Sequence, residues 1–119
     1  MTRLLYSDLN NMEAVSFIAG TNYIFKFDLY ASPGDDDPIE LTGKTFQWKL
    51  SPFGQKSYVA IEKEDSDFTS PTITRKQLML EVDDTIDLAG KYIQQPIITD
   101  ADGTVYRPGQ GIVTIVANI

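Results

Sequence analysis

Apolar and polar side chains alternate along most of this chain, and a period of two is typical of a β-strand that buries one face. In residues 44–50, Phe46, Trp48 and Leu50 alternate with polar residues. In residues 23–30 the pattern places Lys26 and Asp28 away from the core, opposite an inward series of Tyr23, Phe25, Phe27 and Leu29. The same reasoning predicts strands at 15–18, 58–61, 78–82, 92–98 and 112–119, and a less regular one at 4–9.

Clusters of Gly, Pro, Asn and Asp separate these segments. Glycine tolerates positive φ, proline fixes the first turn position, and Asx side chains bond nearby backbone amides. Turns are therefore predicted at residues 19–22, 32–34, 51–54, 100–103 and 107–109. Residues 8–15 offer at most one or two helical turns, and no linker or repeat divides the chain. Short strands at regular spacing predict one domain spanning residues 1–119, an all-β, immunoglobulin-like antiparallel β-sandwich of about seven to nine strands.

Two aromatic residues indicate the type of sandwich. Residues 89–92, Ala-Gly-Lys-Tyr, match the corner before strand F of immunoglobulin-type domains, where a tyrosine hydroxyl bonds back to upstream backbone. Trp48 is expected to be the central core aromatic of the same architecture. Gln94 stands two residues after Tyr92, where antibody domains have a cysteine. Pro96 lacks a backbone donor, which predicts a sheet edge or a bulge nearby.

Composition excludes several functions. The 119 residues have a formal charge of -7, mostly from scattered acidic residues, and such a surface repels phosphate backbones, so nucleic acid is not an expected partner. No apolar stretch is long enough for membrane insertion, and the N-terminus lacks a secretory signal, so synthesis in a cytoplasm is expected. Cysteine and histidine are both absent. Disulfides, the usual zinc sites and the common nucleophile–base arrangements are thereby removed, and an enzyme is not expected.

Acidic clusters suggest metal or carboxylate chemistry, but each has a simpler interpretation. The run Asp35–Asp37 could coordinate calcium, yet acidic residues between Gly and Pro more often form a solvated loop tip. Asp100 and Asp102 resemble the start of a calcium loop whose later ligands are missing, and Asp102 followed by Gly103 fits a tight hairpin turn. Carboxylate pairs of the kind used in glycoside hydrolysis are expected by chance in so acidic a chain: Glu62 with Glu64, and Asp65 with Asp67. No catalytic, cofactor-binding or metal-ligating residue is therefore predicted.

Exposed apolar and aromatic side chains could instead serve binding. Phe53, Tyr58 and Tyr106 lie in or beside predicted loops and could stack on sugars, which keeps carbohydrate binding as an alternative function. Residues 112–119 are apolar on both sides of the pleat, so either both faces are covered within the domain or one meets a neighbouring subunit. Residues 108–111, Pro-Gly-Gln-Gly, precede a strand instead of a helix and are predicted to form a turn, not a phosphate loop.

The order of several segments carries a resemblance to a known family. The most distinctive segment is Ile39–Thr45, in which the pattern apolar-polar-Leu-Thr-Gly-x-Thr precedes a strand. The others are residues 20–27, 89–92, 100–106, 108–111 and 113–116. Together they resemble the N-terminal domain of phage upper-baseplate proteins, β-sandwich modules in the tails and baseplates of phages that infect Gram-positive bacteria.

The resemblance implies a virion structural protein that has no catalytic activity and no cofactor. It also implies docking to other tail or baseplate subunits, assembly as a homo-oligomer, and location in the virion after synthesis in the host cytoplasm. The matched positions are those that determine the fold, so no binding residue is carried over from the family.

Overall fold

The computed structural model describes residues 2–5, 10–31, 37–55 and 57–119. In these ranges the regular structure is mostly strands, with one helix, α1 (Val82–Thr85), and one 3-10 helix at Asp65–Asp67. The strands are β1 (Thr2–Leu5), β2 (Asn10–Asn11), β3 (Val15–Ile18), β4 (Tyr23–Tyr30), β5 (Thr45–Pro52), β6 (Ile61–Lys63), β7 (Phe68–Thr72), β8 (Arg75–Leu80), β9 (Gly90–Thr99), β10 (Val105–Tyr106) and β11 (Gly109–Val116).

Two sheets face each other. The smaller sheet has the strand order β1-β4-β8-β7, and the larger has the order β2-β11-β9-β5-β6, with β3 also beside β11 and β10 beside β9. The predicted immunoglobulin-like β-sandwich is confirmed. Its pairing is antiparallel from β4 onward, whereas β1 runs parallel to β4 and both β2 and β3 run parallel to β11. The N-terminal strands therefore join first one sheet and then the other.

Aromatic side chains fill the space between the sheets. Trp48, Phe46 and Phe27 are fully buried, as the alternating pattern predicted. The ring of Phe25 on β4 lies 5.2 Å from that of Trp48 on β5, so this contact crosses from one sheet to the other. Burying a large apolar side chain stabilises a fold by about 1.5–3 kcal/mol, and these rings supply much of the core.

The predicted tyrosine corner is present. The Tyr92 hydroxyl donates to the Ala89 carbonyl at 3.3 Å. This bond holds the segment that enters β9 against the strand itself. Gln94, two residues later, is completely buried beside Trp48.

Pro96 lies in β9, which is a central strand, so the predicted sheet edge is wrong, and a gap in the pairing of β9 with β10 and β11 lies at this position. Gln94 lies opposite Gly111, and Ile98 lies opposite Tyr106. Between these two pairs, β9 has three residues (95–97), whereas the chain from β10 to β11 has four (107–110). The ladder is therefore interrupted locally. A residue without a backbone donor is tolerated beside such an interruption.

Several predicted strand bounds were wrong. Strand β6 begins at Ile61 instead of 58, β8 covers 75–80 instead of 78–82, and β11 ends at Val116. Strand β5 continues through Pro52, so the turn predicted at 51–54 begins later. Strands β2, β7 and β10 were not predicted, because they are short or mostly polar. Residues 6–9 and the turn predicted at 32–34 lie outside the described residues.

Residues 108–111 do not form the predicted turn. Gly109 and Gly111 belong to β11 and are buried. A Cβ added to Gly111 would lie 2.9 Å from the Cβ of Met12, closer than real Cβ contacts, so glycine lets the segment after β2 approach β11. Here glycine permits a close contact between strands instead of a change of chain direction.

Asp28 differs from its predicted surroundings. It points away from the core, as expected, yet only 4% of the residue is exposed. Arg75 on β8 covers it, donating from Nε and Nη2 to the two carboxylate oxygens at 2.9 and 3.0 Å. These hydrogen bonds and the charge of Asp28 raise the pKa of Arg75 above its usual range.

Candidate functional site

The outer face of the larger sheet carries apolar side chains at its centre. Ile93 on β9 lies directly opposite Ile112 on β11. Their neighbours Tyr92 and Val113 are buried, so alternation along each strand turns both isoleucines outward. Ile112 is 37% exposed. The two side chains form an apolar pair on the surface of an otherwise acidic protein.

Further apolar residues extend this pair along the sheet. Strand β3 pairs with β11 so that Ile18 lies opposite Val116, and they are 52% and 48% exposed. At the other side, Phe53 follows β5, and its backbone N–H donates to the Lys91 carbonyl at 3.0 Å. We call this surface the isoleucine face and define it by six residues: Ile18, Phe53, Val59, Ile93, Ile112 and Val116.

Two shallow grooves mark the isoleucine face. One, of ≈ 210 Å³, is lined by residues that include Lys49, Val59 and Ile93. The other, of ≈ 340 Å³, includes Phe53, Ile93 and Ile112. Ile93 and Gln110 line both grooves, so the two grooves are adjacent. Both grooves are open to solvent, whereas small-molecule sites usually enclose most of the ligand surface. The grooves therefore suit side chains of a protein partner better than a small molecule.

The charge of the isoleucine face differs from that of the whole chain. Lys49 and Lys91 project from it, and the cation of Lys91 lies 5.2 Å from the centre of the Phe53 ring. Within the described ranges, neither lysine forms an ion pair. Glu62, opposite Lys49 on β6, is the nearby carboxylate. The positive charge of these two lysines contrasts with the net charge of -7 of the whole chain.

Among the described residues, the acidic side chains considered for calcium binding are not gathered into a metal site. Asp100 forms an ion pair with Lys44 at 2.9 Å, and Asp102 accepts the Thr104 backbone N–H at 2.9 Å in the predicted hairpin turn. That hydrogen bond lowers the pKa of Asp102. Asp37 is exposed, while Asp35 and Asp36 lie outside the described residues. In the part of the chain that the structure describes, no three potential metal ligands cluster.

The predicted carboxylate pairs have structural contacts. Glu64 and Asp67 cap the 3-10 helix through reciprocal bonds to each other's backbone. Asp65 accepts the Phe46 backbone N–H at 2.8 Å and pairs with Lys76 at 3.3 Å. Glu62 is exposed at the sheet edge. Asp65 therefore holds the 3-10 helix against the start of β5, while Glu64 and Asp67 stabilise the helix itself.

The aromatic residues considered for sugar binding are divided between the two ends of β5. Phe53 and Tyr58 are exposed in the connection that follows this strand. Tyr106 lies opposite Ile98, as does Phe46 near the start of β5. Seven residues of strand separate these ends by about 20 Å, so the three rings do not form one platform. Partial burial, followed by the nearby charge of Asp100, raises the pKa of Tyr106.

The isoleucine face was only partly predicted from the sequence. The two-sided apolar character of residues 112–119 pointed to it, and the structure covers one side of β11 while leaving Ile112 and Val116 exposed. The contributions of Ile18, Lys49 and Lys91 were missed. One signal in the sequence was Ile93, an apolar residue at an outward-facing position of β9, which indicates an apolar outer surface.

Comparisons with known proteins do not identify a family for this chain. No protein-family model matches the chain, and no curated protein matches it. Among solved structures, the V domain of amphioxus IgVJ-C2 is similar over 88% of this chain and 100% of that chain, with 13% sequence identity and a TM-score of 0.30. Among the described residues, no helix is long and apolar enough to cross a membrane.

Proposed function

We propose that this chain is a non-catalytic structural module that works by protein–protein contact through the isoleucine face. The observation that carries the proposal is the set of exposed apolar side chains on strands β3, β9 and β11, where Ile18, Ile112 and Val116 are all at least 37% exposed. Exposed apolar side chains grouped on one face are typical of interaction sites on soluble proteins. Its edges are polar, as is usual for the rim of an interface.

The chemistry of the chain supports a module that is not an enzyme. Histidine and cysteine are absent from the sequence. The carboxylates that could replace them in acid–base chemistry are largely engaged in structural bonds, as Asp65 and Asp100 illustrate. A catalytic carboxylate pair would need to face a shared cleft.

The proposed setting is the tail or baseplate of a phage, where the module would contact other virion subunits and copies of itself. This part rests on the resemblance carried by residues 39–45. Leu41 is buried, and its backbone N–H donates to the Ile73 carbonyl at 2.7 Å. Gly43 has a φ of +80°, so glycine is favoured there. Leu41 and Gly43 therefore both have a structural role in this segment.

Interaction with purified tail and baseplate subunits tests this function. We expect the chain to associate with itself or with one of these subunits, and Ile112→Lys to weaken that association by at least about tenfold. Ile73→Lys is the matched control, because Ile73 is also an exposed isoleucine but lies outside the isoleucine face, in the turn between β7 and β8. A chain that stays monomeric at high concentration and binds no virion subunit contradicts the proposal.

Carbohydrate binding is the second candidate, and the exposed pair Phe53 and Tyr58 on one connection favours it. A glycan array distinguishes the two functions. If a sugar binds the wild-type chain and Tyr106→Ala but does not bind Tyr58→Ala, the result supports a sugar site on this connection. Absence of any hit removes this candidate and leaves the protein-contact proposal unaffected.

A further inference from the structure

A second apolar surface lies on the opposite side of the sandwich. Ile24 on β4 faces Met79 on β8 in the smaller sheet, and they are 45% and 43% exposed. Val82, at the start of α1, is exposed to the same extent as Met79. A groove of ≈ 280 Å³ runs here between apolar and acidic side chains, and its lining is Asn22, Met79, Glu81, Val82 and Asp83.

The charge around this second surface is opposite to that of the isoleucine face. Residues 81–87 contain four carboxylates and no lysine or arginine. Asp84 is paired with Lys63 at 3.0 Å, whereas Asp83 is exposed and forms no ion pair within the described residues. Lys26, opposite Gln77, is the nearest cation along the sheet. We call this surface the acidic patch and define it by Ile24, Met79, Glu81, Val82 and Asp83.

We infer that the isoleucine face of one copy binds the acidic patch of a second copy, in a head-to-tail contact. Apolar side chains would meet apolar side chains, while Lys49 and Lys91 would approach Glu81 and Asp83. The inference rests on the proposed function and names the partner of the same surface. Complementary charge of this kind selects a partner and sets its orientation more than it adds affinity.

Symmetric pairing of like surfaces is disfavoured by the same charges. Two isoleucine faces would bring together four lysines, with Glu62 of each copy as the nearby carboxylate. Two acidic patches would bring together the carboxylates of residues 81–87. Like charges that meet at an interface reduce affinity. The isoleucine face is therefore more complementary to the acidic patch than to a second isoleucine face.

The geometry has a consequence for assembly. The two surfaces lie on the outer faces of different sheets, so a bound copy leaves one surface open at each end of the pair. Head-to-tail contacts of this type close into rings or continue as filaments. The molecule measures 42 × 27 × 26 Å, and faces of that size can supply the roughly 800 Å² per partner of a standard interface.

Two complementary variants test the contact. In the first, Lys49→Glu and Lys91→Glu reverse the charge of the isoleucine face. In the second, Met79→Lys and Asp83→Lys reverse that of the acidic patch. All four side chains are at least partly exposed and form no ion pair within the described ranges. Glu40→Lys, an exposed site outside both surfaces, is the control for altered net charge.

Sedimentation equilibrium gives the mass of each sample over a range of concentrations. We expect the wild-type chain and Glu40→Lys to associate. At the same concentrations, each reversed variant alone should be monomeric, because its Kd for self-association is raised about tenfold or more. An equimolar mixture of the two variants should form a complex, because the intact acidic patch of one variant can bind the intact isoleucine face of the other. Raising the salt concentration should weaken wild-type association.

Other outcomes overturn the inference in distinguishable ways. If the acidic-patch variant still associates alone and the mixture forms no complex, the isoleucine face pairs with itself. If the wild-type chain is monomeric but binds a tail subunit through Ile112, the inference fails and the proposed function stands. If it is monomeric and binds no virion subunit, both fail. Thermal unfolding of every variant within a few degrees of the wild-type chain confirms that folding is intact.

Discussion

Trp48 donates its indole N–H to the side-chain carbonyl of Gln94, with 2.8 Å between Nε1 and Oε1, and both side chains are completely buried. In antibody domains the corresponding tryptophan packs against a disulfide between the sheets. Here a hydrogen bond within the larger sheet and the ring of Phe25 from the smaller sheet surround the tryptophan instead. A polar side chain at the centre of the core makes that core sensitive to charge.

Replacing Gln94 by Glu tests this sensitivity. Burial raises the pKa of a carboxyl group, so the folded variant holds its proton to higher pH than the unfolded chain. Its stability is therefore fully retained below the unfolded pKa of about 4.3 and falls as pH rises through the folded pKa. Urea unfolding should show a loss of about 2–4 kcal/mol at pH 8 relative to the wild-type chain. Gln95→Glu, at a half-buried site on the outer face, is the control, and an equal loss there would contradict the interpretation.

Arg75→Met should expose the cost of an unpaired buried carboxylate. The Asp28 side chain is 5% exposed and the Arg75 side chain 32%, so solvent screens this ion pair only on one side. We expect a loss of about 1–3 kcal/mol in the free energy of unfolding near pH 7. The double variant with Asp28→Asn removes the stranded charge and should be more stable than Arg75→Met alone. A double variant that is no more stable would show that the charge of Asp28 contributes little.

The sequence predicted the interior better than the surface. Burial of Trp48 and the corner at Tyr92 follow from strand alternation and from a local pattern of four residues, and both are present. The ion pair between Asp28 and Arg75 joins residues 47 positions apart, and no local pattern announces it. The isoleucine face depends in the same way on the pairing of β3 with β11, which brings Ile18 beside Val116.

The glycines of residues 108–111 led to one error in the sequence analysis. Residues 108–111 resemble a turn because glycine commonly permits positive φ. Gly109 and Gly111 instead lie in strand β11. Periodicity along one strand does not indicate how closely a neighbouring backbone approaches, and that approach decides the role of glycine at these sites.

Gly111→Ala should push the segment at Met12 away from β11. The added Cβ would lie 2.9 Å from the Met12 Cβ and 3.5 Å from Nε2 of Gln94. Such overpacking costs about 1–3 kcal/mol, which chemical denaturation can measure. The cost should be smaller in a Met12→Gly background, since the contacting atom is then missing. If Gly111→Ala lowers the free energy of unfolding equally in both backgrounds, the contact with Met12 is not the cause of the loss.

Asp102 should titrate at lower pH than an unstructured aspartate. The Thr104 backbone N–H donates to its carboxylate and lowers the pKa in the folded chain. Its contribution to stability is therefore present above the unfolded pKa of about 3.9 and is lost as pH falls through the lower, folded value. Carbon-detected NMR titration of the side chain measures the midpoint, with a urea-unfolded sample as reference. Equal midpoints in the two samples would contradict the hydrogen bond.

Tyr92→Phe should remove the corner hydrogen bond while leaving the ring in place. The hydroxyl of Tyr92 donates to the Ala89 carbonyl at 3.3 Å, a long bond, and the residue is 7% exposed. Loss of a bond of this type costs about 0.5–1.5 kcal/mol of unfolding free energy. Tyr58→Phe is the matched control, because Tyr58 is 58% exposed, and its effect should stay within about 0.5 kcal/mol. If the two variants unfold at the same denaturant concentration, the Tyr92 hydroxyl does not stabilise the entry to β9.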